Sequence, residues 1–379
     1  MSLTGSVFLT LVVVVTVLAF VLLILGWHRL DGPTPSRVVS RVAAVLLVNV
    51  LVLFTAATQL NATYLFFASW SDVQGALTGH LAMTRLTRGG AAAAAANKRV
   101  TGQAAVAATT VPPLTVPISS SGVAEFTVTG PASGLTGTVV VQLPPDYTSA
   151  ANAAQRYPVL EAFGGYPGTP STWTRVIGIG GAIDKQVRAH TMRQALVVQP
   201  QIEFPVGVDT EGVNGSPGHP QVETWLTQDI PNWVAQTFRV QTQRSSWATI
   251  GYSAGGWAAA MAAMLHPAQY GAAIVLGGYF RPEFGPLYEP YPLKGTLAHR
   301  YDLVSLAKSK PPPVALWMET SHADAVSYHS SSQFLTAARA PLSVKAVVLQ
   351  NAGHRMSVWL GLLPEALAWL GGSASGFRP

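Results

Sequence analysis

A serine held at a sharp turn between a strand and a helix can act as a nucleophile, and one stretch of this chain has the residues to build that turn. It is Trp247-Ala-Thr-Ile-Gly251-Tyr252-Ser253-Ala254-Gly255-Gly256, which contains the only G-x-S-x-G in the sequence. With 35 glycines in the chain, the bare pattern decides little, and its setting decides more. The apolar run Trp247–Ile250 reads as a strand, and Trp257–Leu265 (WAAAMAAML) reads as a helix of strong formers. Small residues are required on both sides of the serine because neighbouring backbones come close at such an elbow. Ser253 then stands at a helix N-terminus, where partial positive charge favours a developing oxyanion. The bland alternative is a Gly-Ser turn that joins strand to helix and does no chemistry.

A serine hydroxyl is a weak nucleophile and needs a base, which itself needs an orienting acid. His354 is the best placed of the 9 histidines: it follows the apolar run Val344–Leu349, lies in the loop QNAGHRMSVW and precedes the last helix. His322 and His329 are its closest rivals. The carboxylates between Ser253 and His354 are Glu283, Glu289, Asp302, Glu319 and Asp324. The strand Val314–Met318 should end at the carboxyl edge of a sheet, which selects the loop behind it. There ETSHAD leaves room for the chain to turn before presenting Asp324, with Glu319 as the alternative acid. An oxyanion hole needs two backbone N–H donors. Ala254, directly after the nucleophile, supplies one. The loop Phe163-Gly164-Gly165-Tyr166-Pro167-Gly168 is expected to supply the other, from Tyr166.

These groups must be positioned by a scaffold, and the pattern of the chain says which. From about Val123, EFTVTG and TGTVVVQLPP read as two antiparallel strands around a Gly/Pro turn. Further strands are expected at Tyr157–Phe163, Ala195–Val198, Trp247–Ile250, Ala272–Leu276, Val314–Met318 and Val344–Leu349. Helices are expected between and after them at Ile183–Ala189, Val222–Thr237, Trp257–Leu265, Ser327–Ala338 and Leu363–Leu370. Such alternation implies an α/β fold: a mostly parallel, doubly wound sheet with helices on both faces.

Ahead of this module lie two apolar stretches. Val7–Gly26 has no charge and at 1.5 Å per residue covers roughly 30 Å, the thickness of a bilayer's hydrocarbon core. A cleaved signal peptide would carry a basic start and a small-residue cleavage site; residues 1–6 hold no Lys or Arg, and bulky Trp27 and His28 follow Gly26. The second span runs from Val42 to Leu60, with Asn49 facing a partner helix and Tyr64, Phe66, Phe67 and Trp70 as an interfacial belt. Arg29, Arg37 and Arg41 in the connecting loop place that loop in the cytoplasm and everything after residue 70 outside it. The expected organisation is thus a transmembrane hairpin over 1–70, a juxtamembrane segment and Ala/Gly/Pro-rich tether over 71–117, and a catalytic domain over 118–373.

Composition excludes several classes. The chain has 379 residues, only 11% of them charged, and no cysteine, which removes a thiol nucleophile, a thiolate metal site and any disulfide framework. Its net charge of +6 is scattered rather than clustered, so nucleic acid is not an expected partner. Gly178-Ile-Gly180-Gly181-Ala-Ile183 lacks the third glycine of a dinucleotide fingerprint, and there is no Walker loop. No cofactor is called for. His322-Ala-Asp324…His329 lacks the paired helical spacing of a zinc protease. Asn61-Ala62-Thr63 fits a glycosylation sequon but lies too near the membrane to be used.

The stretch GYSAGGWAAAMAAMLHPAQYGAAIVLGGYF resembles the elbow, helix and following strand of the esterase D and mycolyltransferase group of α/β-hydrolases. The likeness extends over PVLEAFGGYPGTPSTW, VETWLTQDIPNWV and NAGHRMSVWLGLLPEALAWL, about residues 120–372. The resemblance implies ester cleavage or acyl transfer through an acyl-enzyme, with motif positions on Ser253, Ala254, Tyr166 and His354. Two departures stand out: Gly164-Gly165 replaces the usual His-Gly, and the acid loop is longer than the common form. Mycolyltransferases carry their acid as a Glu in the helix after this strand, and Ser327–Ala338 contains none, so the chain looks closer to esterase D. The expected function is a membrane-anchored extracytoplasmic serine esterase acting on ester or lipid substrates. The alternatives are an acyltransferase to a cell-envelope acceptor and a non-catalytic binding module of the same fold.

Overall fold

A computed structural model describes residues 3–64, 66–79, 82–89, 116–145, 147–285 and 288–379. Almost all of the expected tether, 89–117, lies outside the described residues. Cα packing divides the chain into two compact units: Met1–Ala82 with Ser321–Val326 and Leu349–Arg355, and Met83–Thr320 with Ser327–Val348 and Met356–Pro379.

Among the described residues there are nine strands, lying almost wholly in the second unit: β1 (Met83–Arg88), β2 (Val123–Thr129), β3 (Thr136–Gln142), β4 (Val159–Phe163), β5 (Leu196–Pro200), β6 (Trp247–Tyr252), β7 (Ala272–Leu276), β8 (Ala315–Ser321) and β9 (Ser343–Leu349). They form one sheet in the order β1-β9-β8-β7-β6-β4-β5-β3-β2. β2 and β3 are an antiparallel hairpin, and β3 runs antiparallel to β5. The centre is parallel: β5 with β4, β4 with β6, β6 with β7, and β7 with β8. Strands β4 to β8 are buried along their whole length, which is why their sequences read as continuous apolar runs rather than as alternation. Helices Ile179–Arg188, Ile230–Thr237, Ala254–Leu265, Leu303–Ser309 and Tyr328–Ala337 fill the connections, and Met356–Ser373 follows β9. The chain therefore has the α/β-hydrolase type of architecture expected for it.

The order has a consequence for binding. β4 lies between β5, which follows it, and β6, which comes later, so the chain reverses its direction of travel across the sheet there. In an open α/β sheet such a switch point leaves a crevice at the carboxyl ends of the strands. The loop Gly164–Gly168 leaves β4 at that point, and Ser253 leaves β6 beside it.

Three local readings need correction. The last helix begins at Met356, not Leu363, and continues through Pro364. Val358, Trp359, Leu362, Leu363, Ala366, Leu367 and Leu370 give it one buried face, and that burial outweighs the hydrogen bond a proline removes. The region 71–89, read as juxtamembrane, contains a helix, Trp70–Thr78, and the edge strand β1. Strand β1 is mostly exposed, and Arg85 on it forms a 2.7 Å ion pair with Glu365, a long-range pairing that no local pattern reveals. The expected helix Val222–Thr237 is interrupted by a π-turn over Trp225–Asp229.

The first unit contains the two long helices, Ser6–Gly26 and Pro35–Tyr64, both long and apolar enough to cross a bilayer. They pack against each other through the Thr16 and Thr55 hydroxyls, 2.8 Å apart, while apolar side chains such as Leu22, Leu25 and Leu53 are exposed. Asn49 does not face the partner helix. It is exposed, and its amide donates to Val45 O one turn back. Asn61 is buried and its amide makes both a donor and an acceptor bond with the backbone of Phe67, so the sequon asparagine is structural.

Candidate active site

Strand β6 ends at Tyr252, and the helix Ala254–Leu265 starts two residues later, leaving Ser253 alone in the turn. Its backbone sits at φ 56, ψ −127, one of three positive-φ non-glycine residues among the described residues. That conformation costs of order 1–3 kcal/mol and persists only where the surroundings impose it. They do so here. Ser253 N–H donates to Leu276 O of β7, and Trp257 N–H donates to Ser253 O in the first helical turn. A Cβ at Gly251 would lie 1.8 Å from Gly255 O, and one at Gly255 would lie 2.3 Å from Phe163 O. The glycines of G-x-S-x-G are thus spaces occupied by other backbone, and the serine bears the strain between them. Ala254 opens the helix, so its N–H is among those with no helical acceptor.

The glycine loop after β4 lies against this elbow. A Cβ at Gly165 would come within 2.7 Å of the Tyr252 ring and 3.0 Å of Ser253 Cβ, so only glycine admits this approach. Three further groups shape the loop. The Tyr252 hydroxyl hydrogen-bonds the Gly165 backbone and Thr172, and burial pushes that phenol above its ordinary range. The Tyr252 ring is held between Trp173 and Trp359. Glu203, nearly fully buried, accepts 2.8 Å bonds from Gly168 N–H and Gly207 N–H. Tyr166 follows Gly165; its side chain is exposed and its hydroxyl donates to Gly207 O at 3.1 Å. A cavity of about 360 Å³ opens beside this loop, bounded by Gly164, Gly165, Gly168, Ile202, Glu203 and Val206. A larger one, about 560 Å³, is lined by Gln142 and Gly180. Gln142 pairs with Val197 near the start of β5, so that cavity lies at the opposite edge of the parallel strands from Ser253.

The first unit carries the acid and the histidine. After β8 the chain turns, with Asp324 N–H donating to Ser321 O, and presents a buried carboxylate. Asp324 Oδ2 lies 2.8 Å from His354 Nδ1, and Oδ1 accepts from Val326 N–H at 3.0 Å. A carboxylate only accepts here, so Nδ1 carries the hydrogen and Nε2 is the basic nitrogen. The loop bearing His354 is tied to the acid loop twice: Ala352 N–H donates to Ser321 Oγ at 3.0 Å, and His322 N–H donates to Leu349 O at 2.9 Å. Glu319, the alternative acid, is buried and accepts from Gly277 N–H at 2.9 Å. Of the rival histidines, His322 is exposed, and His329 is exposed on the helix Tyr328–Ala337, paired with Gln333 one turn further.

Sequence reasoning missed Tyr252 and Glu203. Both sit beside glycines of the elbow or of the loop after β4, and the signal available was chemical: N–H groups of a loop outside regular structure need acceptors.

A strained serine elbow on a doubly wound sheet, with a carboxylate-bound imidazole on a late loop, defines the serine-hydrolase class. Residues 132–370 match the model of the Esterase family ("Putative esterase"), so the chain belongs to that family. Among solved structures it is similar to a ferulic acid esterase (TM-score 0.56, 17% identity, covering 65% of this chain and 96% of that one). It is also similar to an S-formylglutathione hydrolase from Agrobacterium tumefaciens (TM-score 0.55, 15% identity, covering 68% and 97%). A third is a fluorophosphonate-binding serine hydrolase from Staphylococcus aureus (TM-score 0.53, 17% identity, covering 65% and 97%). At such identities the likeness is one of fold. An uncharacterised protein of Corynebacterium glutamicum is 26% identical over 151 residues, 38% of this chain and 33% of its own length. The chain thus spans about a third of the length of that curated relative.

Proposed function

We propose that the protein is a membrane-anchored serine esterase whose catalytic machinery faces away from the cytoplasm. Ser253 Oγ attacks the ester carbonyl while His354 Nε2 takes its proton. Asp324 holds the imidazole in the productive tautomer and stabilises the imidazolium that forms. The N–H groups of Ala254 and Tyr166 stabilise the tetrahedral oxyanion. Collapse expels the alcohol, which takes the proton from His354 and leaves an acyl-enzyme on Ser253. Water then repeats the sequence with His354 as base, freeing the acid. The crevice beside Gly164 and Gly165 receives part of the ester, and about 360 Å³ suits a small-molecule group.

The observation that carries this reading is the backbone of Ser253: a non-glycine residue forced to φ 56 between a parallel strand and a helix. A linking turn with no chemistry needs no such strain. Two features support the anchor. The long helices expose apolar side chains that only an apolar surrounding satisfies, and the positive charge at their junction comes from Arg29 in the turn and Arg37 and Arg41 in the first turns of the second helix. Arg41 pairs with Asp31 across that turn at 3.4 Å.

The test is to label intact cells with a membrane-impermeant fluorophosphonate and map the modified peptide. Labelling at Ser253, abolished in Ser253→Ala together with a fall in kcat of about 10⁶-fold, is the expected result. Full turnover by Ser253→Ala would end the proposal, and labelling only after lysis would reverse the topology. Product analysis with and without a sugar acceptor separates hydrolysis from acyl transfer.

A further inference from the structure

The juxtamembrane helix Trp70–Thr78 begins with Ser69 as its N-cap, and Asp72 N–H donates to the Ser69 hydroxyl at 3.2 Å. An acid in the first turn of a helix is ordinary. Asp72 is not ordinary in its burial, which leaves it 1% exposed, nor in its partners. Its Oδ2 accepts three donors: Ala68 N–H at 3.0 Å, Gly353 N–H at 2.8 Å and Arg355 Nη1 at 2.7 Å. The last two lie 281 and 283 residues away in sequence, and they are the residues immediately before and after His354. Arg355 is buried as well. Its Nη1 also donates to Phe66 O at 2.9 Å, and its guanidinium lies 4.7 Å from the centre of the Phe67 ring. Phe67 is in turn gripped by Asn61, at the end of the second long helix, through bonds of 2.7 and 3.0 Å.

A buried ion pair stabilises a fold no better than apolar packing of the same volume, but it imposes direction. Here Asp72 holds the Gly353 N–H on one side of a histidine and the Arg355 side chain on the other. We infer that the segment Phe66–Gly79 is a positioning element for His354, with Asp72 and Arg355 as positioning residues. The imidazole then reaches its working orientation only while the end of the membrane hairpin is folded against its loop. This rests on the reading of His354 as the base. It makes the anchor part of the catalytic apparatus rather than a passive tether, so the state of the hairpin in its bilayer acts directly on turnover.

The test uses the full chain in lipid nanodiscs with p-nitrophenyl acetate as substrate. Asp72→Ala is expected to lower kcat on the order of 10²-fold, as for a catalytic group misplaced by about an ångström, with KM little changed. It is also expected to move the acid limb of the pH–rate profile to lower pH, because loss of the Asp72 carboxylate leaves the positive charge of Arg355, still bonded to Phe66 O, less balanced beside the His354–Asp324 pair and so disfavours the imidazolium. In the His354→Ala background the same substitution should cost nothing more, since both act on one step. If Asp72→Ala does not yield folded protein, Asp72→Asn keeps an acceptor for Gly353 N–H and is read in the same way. A folded Asp72 variant with wild-type kcat and an unmoved acid limb overturns the inference, as does an equal loss with and without His354. Turnover surviving in Ser253→Ala or His354→Ala would instead overturn the underlying catalytic reading, so the two failures are distinguishable.

Discussion

Substituting Gly255 by alanine puts the elbow to a quantitative test. The added Cβ would stand 2.3 Å from Phe163 O and 2.4 Å from Gly164 O, about an ångström inside ordinary contact with each. Neither atom is the tip of a flexible side chain. Phe163 O ends β4 and Gly164 O begins the loop proposed to carry an oxyanion donor, so relief comes only by moving that loop away from Ser253 or by tilting the helix that follows it. Overpacking of this kind costs about 3 kcal/mol, the upper part of its usual range, since backbone must move. For a unit of this size that lowers Tm by roughly 5 °C. Displacing the loop by about an ångström should reduce kcat on the order of 10²-fold. Gly181→Ala is the control: a helical glycine with nothing within 4 Å of its Cβ, where alanine should stabilise by about 0.5–1 kcal/mol. Both variants would be made in the full chain and followed by thermal melts, ester turnover and the rate of fluorophosphonate labelling. Wild-type Tm and turnover in Gly255→Ala would refute the account of the motif's glycines as spaces filled by other backbone.

Two further perturbations read separate parts of the structure. Asp324→Asn should cut kcat by about 10⁴-fold by favouring the wrong imidazole tautomer, whereas Glu319→Gln, which keeps an acceptor for Gly277 N–H, should act on stability more than on turnover. Reversal of that order in a kcat comparison would return Glu319 to the role of acid. Glu161, buried in β4, accepts from the Tyr270 hydroxyl at 2.6 Å, and burial pushes its carboxyl up to about 8. The folded chain thus keeps a proton that the unfolded chain releases above its ordinary pKa of 4.5. The associated stability is complete below that pH and is lost as pH rises toward about 8, by at most roughly 4–5 kcal/mol. Glu161→Gln should remove this alkaline decline in Tm; parallel melting curves for wild type and variant across that window would count against it.

Much of the scaffold was legible in the sequence because parallel strands buried on both faces must be apolar along their length. LVVQP, WATIGY and AAIVL could be placed within a few residues without knowing their neighbours. The elbow was legible for a related reason: its strand, serine, glycines and helix are contiguous, and the demand for small residues is local. The two apolar helices were legible from length alone. β1 was not, since an exposed edge strand of mixed residues acquires its identity only from the strand beside it. Nor was the passage of the last helix through Pro364, where the burial of one face overrides a local rule.

What the sequence by itself determined is therefore the chemistry available: one serine in a setting that strains it, a short field of histidines and carboxylates, and a scaffold of alternating strands and helices. Only the tertiary structure decided where those groups sit. It set Asp324 on His354 and Glu319 on a turn, laid Gly165 against Ser253, and brought Asp72 from the helix Trp70–Thr78 to both neighbours of His354. The reason is that composition and spacing constrain residues near one another along the chain, whereas the partner of a buried charge is whichever donor the fold delivers to it.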